Sequence, residues 1–400
     1  MKINLDLHIH SKYSAATSER MGLSEIAREA GKKGISIVAT GDCLHSRWLA
    51  EVASLPAEGG LFQLGKTRFV LTTEVEDCDR VHHLILVPDI SKARQLREVL
   101  AGKASNLDSD GRPNLRMSGP EIADASLDAE CLIGPSHAFT PWTGAYAHHR
   151  SLEECYGDRS SHIRFVELGL SADSDYADRI SELHSRTFLT NSDAHSPWSD
   201  KLGREFNQME FEDLSFEEIA RAICRQGGRR MTLNVGFFPE EGKYNRTACT
   251  RCYKHYTSRQ MDDLLGRCAC GGLIKLGVRD RVMMLADLPE AAHPDHRPPY
   301  LHLIPLAEII AMALGHKSIH TAGVMRTWEE LVSVRSEIEV LLEAELDDLD
   351  IDGRVKNAIQ AFRSGKVVVD PGGGGRYGRV SLPEACAPPE GGSQRSLFDF

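Results

Sequence analysis

Through the first 235 residues, short apolar runs rich in β-branched residues keep stopping at a histidine or an acid. The runs are Ile3–Leu7, Ile35–Thr40, Phe69–Val75, Leu84–Val87, Leu132–Gly134, Ile163–Gly169 and Phe188–Asn191, with Met231–Val235 as a closing strand. Runs of this length without polar alternation read as parallel strands buried on both faces. Helical stretches lie between several of them. GLSEIAREAGKKG has a Ser cap and a Gly stop, and LSFEEIARAICRQGG repeats the design. Seven or so strands joined by helices in one unit predict a closed α/β barrel. An open doubly wound sheet is the alternative, but no glycine-rich turn follows the first strand.

In an α/β barrel the C-terminal strand ends share one face, and that face carries the active site. His8 and His10 point the same way there, because side chains alternate with period two along a strand. Asp42 follows the second run, Glu74 ends the third, His82 and His83 precede the fourth, and His137 follows the fifth. Asn191 leads into Asp193 and His195 after the seventh. Buried charges are costly unless paired or bound to metal. So many groups exceed the needs of one tetrahedral ion and fit a cluster of two or three divalent metals (Zn, Mg or Mn) with bridging carboxylates.

The rest of the chain has a different character. Residues 236–285 form a small module with two cysteine pairs, Cys249-x2-Cys252 and Cys268-x-Cys270, spaced as for a structural four-cysteine zinc site. Between Lys243 and Arg281 there are nine basic and three acidic residues, although the whole chain carries −11. Tyr253, Lys254, His255 and Tyr256 set aromatics among those charges, which suits contact with a nucleic-acid backbone. Residues 286–380 read as helical and DNA-binding, with TWEELVSVRSEIEVLLEAELDDLD as one long helix. The glycine-rich segment 372–378 lacks the βαβ setting of a dinucleotide fingerprint and reads as a phosphate-binding loop, a kinked strand or a turn. Residues 381–400 read as a flexible tail. No run approaches the roughly 18 apolar residues of a membrane span. The N-terminus is too polar for a signal peptide, and ten cysteines are too sparse for a disulfide scaffold, so a reducing cytoplasm is expected.

DLHIHSKYS, the Gly41-Asp42 pair, Glu74 and the late DAH resemble the polymerase and histidinol-phosphatase (PHP) domain. That resemblance implies a distorted (β/α)7 barrel that hydrolyses phosphoesters at a metal cluster. It implies His8, His10, Glu74, His83, His137, Asp193 and His195 as ligands, with His82 as the alternative to His83. It also gives Asp6 the role of fixing a ligand tautomer. The family's second motif usually reads TDH, whereas Cys43 stands here, leaving Asp42 to ligate directly or His45 to reach the site. Asp193, His195, Glu74, Asp42 and His45 are the catalytic candidates.

TGDCLHSRWL, GPSHAFTPWT, ELGLSADS, GGLIKLGVRDRV and RPPYLHLIPLAEII, in that order, resemble the endonuclease Q family. What this implies is a DNA repair endonuclease cutting 5′ to deaminated bases (hypoxanthine, uracil, xanthine) and at abasic sites, in double- or single-stranded DNA. Deamination replaces an amino group with a carbonyl, so a pocket donor would select the lesion. Ser171, Asn191 and the backbone amides of 169–172 are the candidates. At the C-terminus, Gln394, Leu397 and Phe398 resemble the motif that docks on a replication sliding clamp. The competing expectations are a histidinol-phosphatase-like enzyme of small phosphate esters and a non-catalytic, clamp-tethered DNA-binding protein.

Overall fold

The computed structural model describes residues 1–383, so Gln394, Leu397 and Phe398 lie outside the described residues. Strands β1 (Lys2–Asp6), β2 (Ile37–Ala39) and β3 (Thr67–Glu76) run parallel, with Leu5 opposite Ile37 and Val38 opposite Phe69. β4 (His82–Val87) turns back antiparallel to β3, and β5 (Leu132–Pro135) runs antiparallel to β4. β6 (Phe165–Glu167) and β7 (Thr187–Leu189) form a parallel pair. Gly134 brings β5 against β6, since a Cβ there would lie 2.4 Å from the Phe165 carbonyl oxygen. The ring closes where Ile9 bridges Ala194 and the Leu7 N–H donates to Asn191 Oδ1. The result is a distorted α/β barrel.

The all-parallel expectation fails at β4. A strand buried on both faces carries no alternation from which its direction could be read. The reversal has a useful effect: the N-terminal end of β4 reaches the face to which the parallel strands bring their C-terminal ends. A strand not anticipated, β8 (Phe206–Glu210), pairs antiparallel with β1 and with β9 (Met231–Gly236), and β9 takes β10 (Tyr300–His302) in parallel on its other side. Its polar Asn207 and Gln208 disguise it.

The helix α1 (Leu23–Lys33) starts from Gly22 rather than from a Ser cap, and stops at Gly34 in the left-handed conformation. α2 (Phe216–Cys224) has the expected cap, Ser215 accepting from the Glu218 N–H. The C-terminal helices are α3 (Leu306–Leu314), α4 (Ala322–Val334), α5 (Glu337–Leu342) and α6 (Gly353–Arg363). The expected long helix breaks between α4 and α5, where Ser336 and Glu339 form a reciprocal capping box. Lys33, at the end of α1, makes a buried ion pair of 2.6 Å with Glu337. Glu337 also accepts from the Leu306 N–H and from Trp328 Nε1. One carboxylate thus ties the barrel to three C-terminal helices. No helix of the described residues is long and apolar enough to cross a membrane.

The glycine-rich segment joins Val368–Asp370 to Arg379–Ser381 in a hairpin that lies on the cysteine module. The Arg246 N–H donates to the Gly372 carbonyl, and a Cβ at Gly374 would lie 2.4 Å from the Cys249 carbonyl oxygen. The segment forms the turn of that hairpin.

Glu205 carries one consequence for pH. It is fully buried, its Oε1 accepts from the Phe237 N–H, and its Oε2 has no partner. Burial pushes its carboxyl up from 4.5 to about 8. Between those values the folded chain holds a proton that the unfolded chain has lost. Its contribution is therefore complete below pH 4.5, declines as pH rises, and is gone above about 8. Glu205→Gln is expected to flatten this decline and to stabilise the protein at pH 8 by on the order of 3 kcal/mol. Thermal unfolding of both forms from pH 5 to 8.5 checks it; parallel pH profiles would contradict it.

Candidate metal centre

The strand ends bring histidines and carboxylates together around Glu74. His8 and His10, on one face of the extension of β1, aim their Nε2 atoms at it, at 3.7 Å from Oε1 and 3.4 Å from Oε2 respectively. His82 Nδ1 and His137 Nε2 both lie 3.0 Å from Glu74 Oε1. Asp193 Oδ1 sits 3.3 Å from His10 Nε2, and His195 Nδ1 is 3.7 Å from the same oxygen. Three groups each gather their ligand atoms within 4.8 Å of one another: His8, His10 and Glu74; His10, Asp193 and His195; Glu74, His82 and His137.

These residues fit metal ions by an internal criterion. His8 Nε2, His10 Nε2 and Asp193 Oδ1 are buried and have no hydrogen-bond partner, which is costly unless a cation takes that place. The electrostatics agree. Burial opposes ionisation of Glu74, yet the charges of His82 and His8 hold its carboxyl well below the ordinary range. Burial likewise opposes a charge on His8, yet Glu167 and Glu74 lift it to about 9. Positive charge is wanted between these groups, and protons or metal ions can supply it. The backbone is bent to suit: Asp42, His137 and Asp193 have φ of 50°, 27° and 47°. Such conformations are held at functional sites by surrounding structure. Gly169 packs so closely on His137 that a Cβ would lie 2.5 Å from the His137 Cβ.

The structure corrects several expectations. His82 faces the centre, whereas His83 points the other way, taking a hydrogen bond from the Tyr156 hydroxyl and donating to Asp77. Period-two alternation makes the two exclusive. Asp42 does not face the centre: it accepts from His10 Nδ1 at 3.0 Å and from the Ser11 N–H and hydroxyl. It therefore orients the His10 ring. His45 is turned away, with Nε2 on the Asp108 carbonyl and its ring stacked on Tyr13. Asp6 holds the N–H groups of Ser192 and Gly203, not a histidine ring. Asn191 is buried and bonded to Leu7, Glu167 and Asn207, so it closes the barrel instead of lining a pocket. Ser171 lies half-buried just after the Gly169 turn.

Two residues escaped the sequence reading. Glu167, at the end of β6, fixes the His8 tautomer by accepting from Nδ1 at 2.9 Å, and also accepts from the His137 N–H. An acid ending an apolar run was the available signal. Arg112 reaches in from an irregular loop, its Nη1 3.3 Å from Glu74 Oε2. Nothing periodic marks that loop.

At the cysteine module, Cys249 and Cys270 approach to 3.5 Å and Cys252 and Cys268 to 3.6 Å, and all four sulfurs lie within 4.8 Å of one another. The Arg251 N–H donates to Cys249 Sγ, and the Tyr256 hydroxyl donates to Cys268 Sγ, pulling that thiol down to about 6. Four converging sulfurs, with the Cys249 and Cys268 thiols both favoured as thiolates, suit a closed tetrahedral metal site.

The chain is similar to known proteins along most of its length. The family described as the MJ0043 C-terminal domain matches residues 305–366. Protein MJ0043 of Methanocaldococcus jannaschii is 44% identical over 254 residues, which is 62% of this chain and 31% of that protein. The match thus spans about a third of that relative's length. Protein YqxK of Bacillus subtilis is 31% identical over 407 residues, covering 95% of this chain and 99% of YqxK. Among solved structures, the lesion-specific endonuclease PfuEndoQ of Pyrococcus furiosus superimposes with a TM-score of 0.93 at 46% identity, covering 96% of each chain. Endonuclease Q in complex with a 27-mer duplex substrate bearing an abasic lesion at the active site superimposes at 0.90 with 46% identity, over 97% of this chain and 98% of that one.

Proposed function

The chain belongs to the endonuclease Q family, and from that premise we propose that it is a metal-dependent DNA repair endonuclease. It hydrolyses the phosphodiester 5′ to deaminated bases (hypoxanthine, uracil, xanthine) and at abasic sites. The observation that carries the reading is the set of three adjoining ligand groups around Glu74, in a chain that matches lesion endonucleases end to end.

Two or three divalent ions, when bound, supply a hydroxide nucleophile and stabilise charge on the phosphate. The chain's own residues arrange the rest. Glu167 and Asp42 hold protons on Nδ1 of His8 and His10, which turns both Nε2 lone pairs toward the centre. Glu74, with both oxygens facing histidines, would help hold the ions. Asp193 and His195 are each about a third exposed and form the open side from which DNA enters. Arg112, next to Glu74, offers its remaining N–H groups to a phosphate oxygen. A lesion must leave the base stack to be inspected, and Ser171 remains the candidate donor for the flipped base. The basic cysteine module carries the DNA backbone. The tail residues Gln394, Leu397 and Phe398 tether the enzyme to a sliding clamp. A small phosphate ester would need neither module nor tail.

Labelled duplexes bearing hypoxanthine, uracil, an abasic site or no lesion, each tested with Mg²⁺, Mn²⁺ or Zn²⁺, decide the matter. The expected product is a single nick 5′ to the lesion and none in undamaged DNA. Equal cutting of all duplexes, or activity confined to small phosphomonoesters, would reject the reading.

A further inference from the structure

Trp142 is the most conspicuous residue that the proposed chemistry leaves unused. Its side chain is 54% exposed, and its φ of 81° puts a bulky residue in the left-handed region. The loop that carries it is anchored at both ends to the metal centre. It leaves from His137, whose carbonyl accepts from the Thr140 N–H, and it returns at Thr143, whose carbonyl accepts from the His82 N–H. His148 Nε2 donates to the Trp142 carbonyl itself. Gly144 completes the turn, since a Cβ there would lie 2.6 Å from the Ala138 carbonyl oxygen.

The indole is also braced from the cysteine module. Lys275 Nζ lies 5.3 Å from the ring centroid, and the Tyr244 ring meets it edge-on at 6.0 Å. Lys243 Nζ in turn lies 5.6 Å from the centroids of both Tyr244 and Tyr377. Rings and cations thus run side by side from the glycine-rich hairpin across to the loop beside His137. An exposed indole on a strained, doubly anchored backbone contributes no core packing for its conformational cost. Its rigidity and position are what a base-stacking element needs.

We propose that Trp142 enters the duplex beside the lesion and stacks on the base pair exposed when the damaged nucleotide is extruded. Lys275 exchanges the indole face for the neighbouring phosphate. The inference rests on the lesion-endonuclease reading above and assigns the residue that fills the gap.

The test compares wild type, Trp142→Ala and Trp142→Phe on the same uracil-containing sequence, single-stranded and duplex. A single strand has no base pair to open. Trp142→Ala should therefore lower the duplex-to-single-strand rate ratio by about tenfold or more, and Trp142→Phe should recover most of it. An unchanged ratio would overturn the proposal. A binding readout independent of cleavage uses 2-aminopurine next to the uracil, with all three proteins in an Asp193→Asn background. The probe should stay quenched with wild type and Phe, whose rings stack on it, and brighten with Ala. If Ala leaves the probe as quenched as wild type does, Trp142 is not the stacking element. If wild type cuts neither DNA form, the nuclease reading fails, and the 2-aminopurine signal alone decides the role of Trp142.

Discussion

Asp193→Asn is expected to slow nicking of a lesion-bearing duplex by about 10³-fold or more, which corresponds to about 4 kcal/mol of lost transition-state stabilisation. The carboxylate is the one member of the open-side group that carries negative charge, and its Oδ1 is the buried, unpartnered atom beside His10. An amide keeps the shape and removes the charge that holds a cation there. The fold should survive, because the Asp193 N–H donates to the His8 carbonyl through the main chain, which the substitution does not touch. DNA affinity should change little, since phosphate contacts by Lys and Arg supply most of it. Metal analysis of the purified variant should show a lower divalent content than wild type. Nicking at a near wild-type rate would remove Asp193 from the centre.

Replacing Cys249 or Cys268 with Ser should have an effect of similar size, but in a different place. Among the described residues, the cluster packed around the cysteine sulfurs is Cys249, Cys268 and Ile274, with Tyr256 and Met261 against it, while Val278 and Val282 pack on the main core. So small a core cannot hold the segment without a metal, whose binding is worth about 10–16 kcal/mol in comparable sites. Loss of one thiolate should release one zinc equivalent and open residues 243–281 to proteolysis. The barrel transition on heating should stay where it is. Duplex binding should weaken, and its salt dependence should become shallower as basic contacts are lost. Unchanged zinc content in both variants would show that these sulfurs are not ligands.

The parts of the site that could be read from the sequence are those that follow strand geometry. His8 and His10 share a face because of alternation, and Glu74, His137, Asp193 and His195 sit where apolar runs end. What could not be read depends on partners. Asp42 and Glu74 are both acids at strand ends, and only the third dimension makes one a support for His10 and the other the centre. The choice between His82 and His83 turns on the direction and pleat of β4, which a run of six buried residues does not encode. β8 was hidden because Asn207 spends its side chain on the barrel seam, bonding Thr190 and Asn191, and so looks like a loop residue. The break before α5 was within reach: Ser336 and Glu339 stand at capping-box spacing, and helical propensity around them masked it.

The Lys33–Glu337 pair also constrains how this chain can diverge. The two residues stand 304 positions apart and are almost wholly enclosed. Removing either partner alone leaves a bare charge in the interior, a penalty of about 3–5 kcal/mol that few lineages could carry. The two positions should therefore drift as a unit, and an apolar pair there would also have to leave the Leu306 N–H and Trp328 Nε1 without an acceptor. Recombination that brings a foreign helical segment onto this barrel would succeed only where the incoming segment meets Lys33 with an acid.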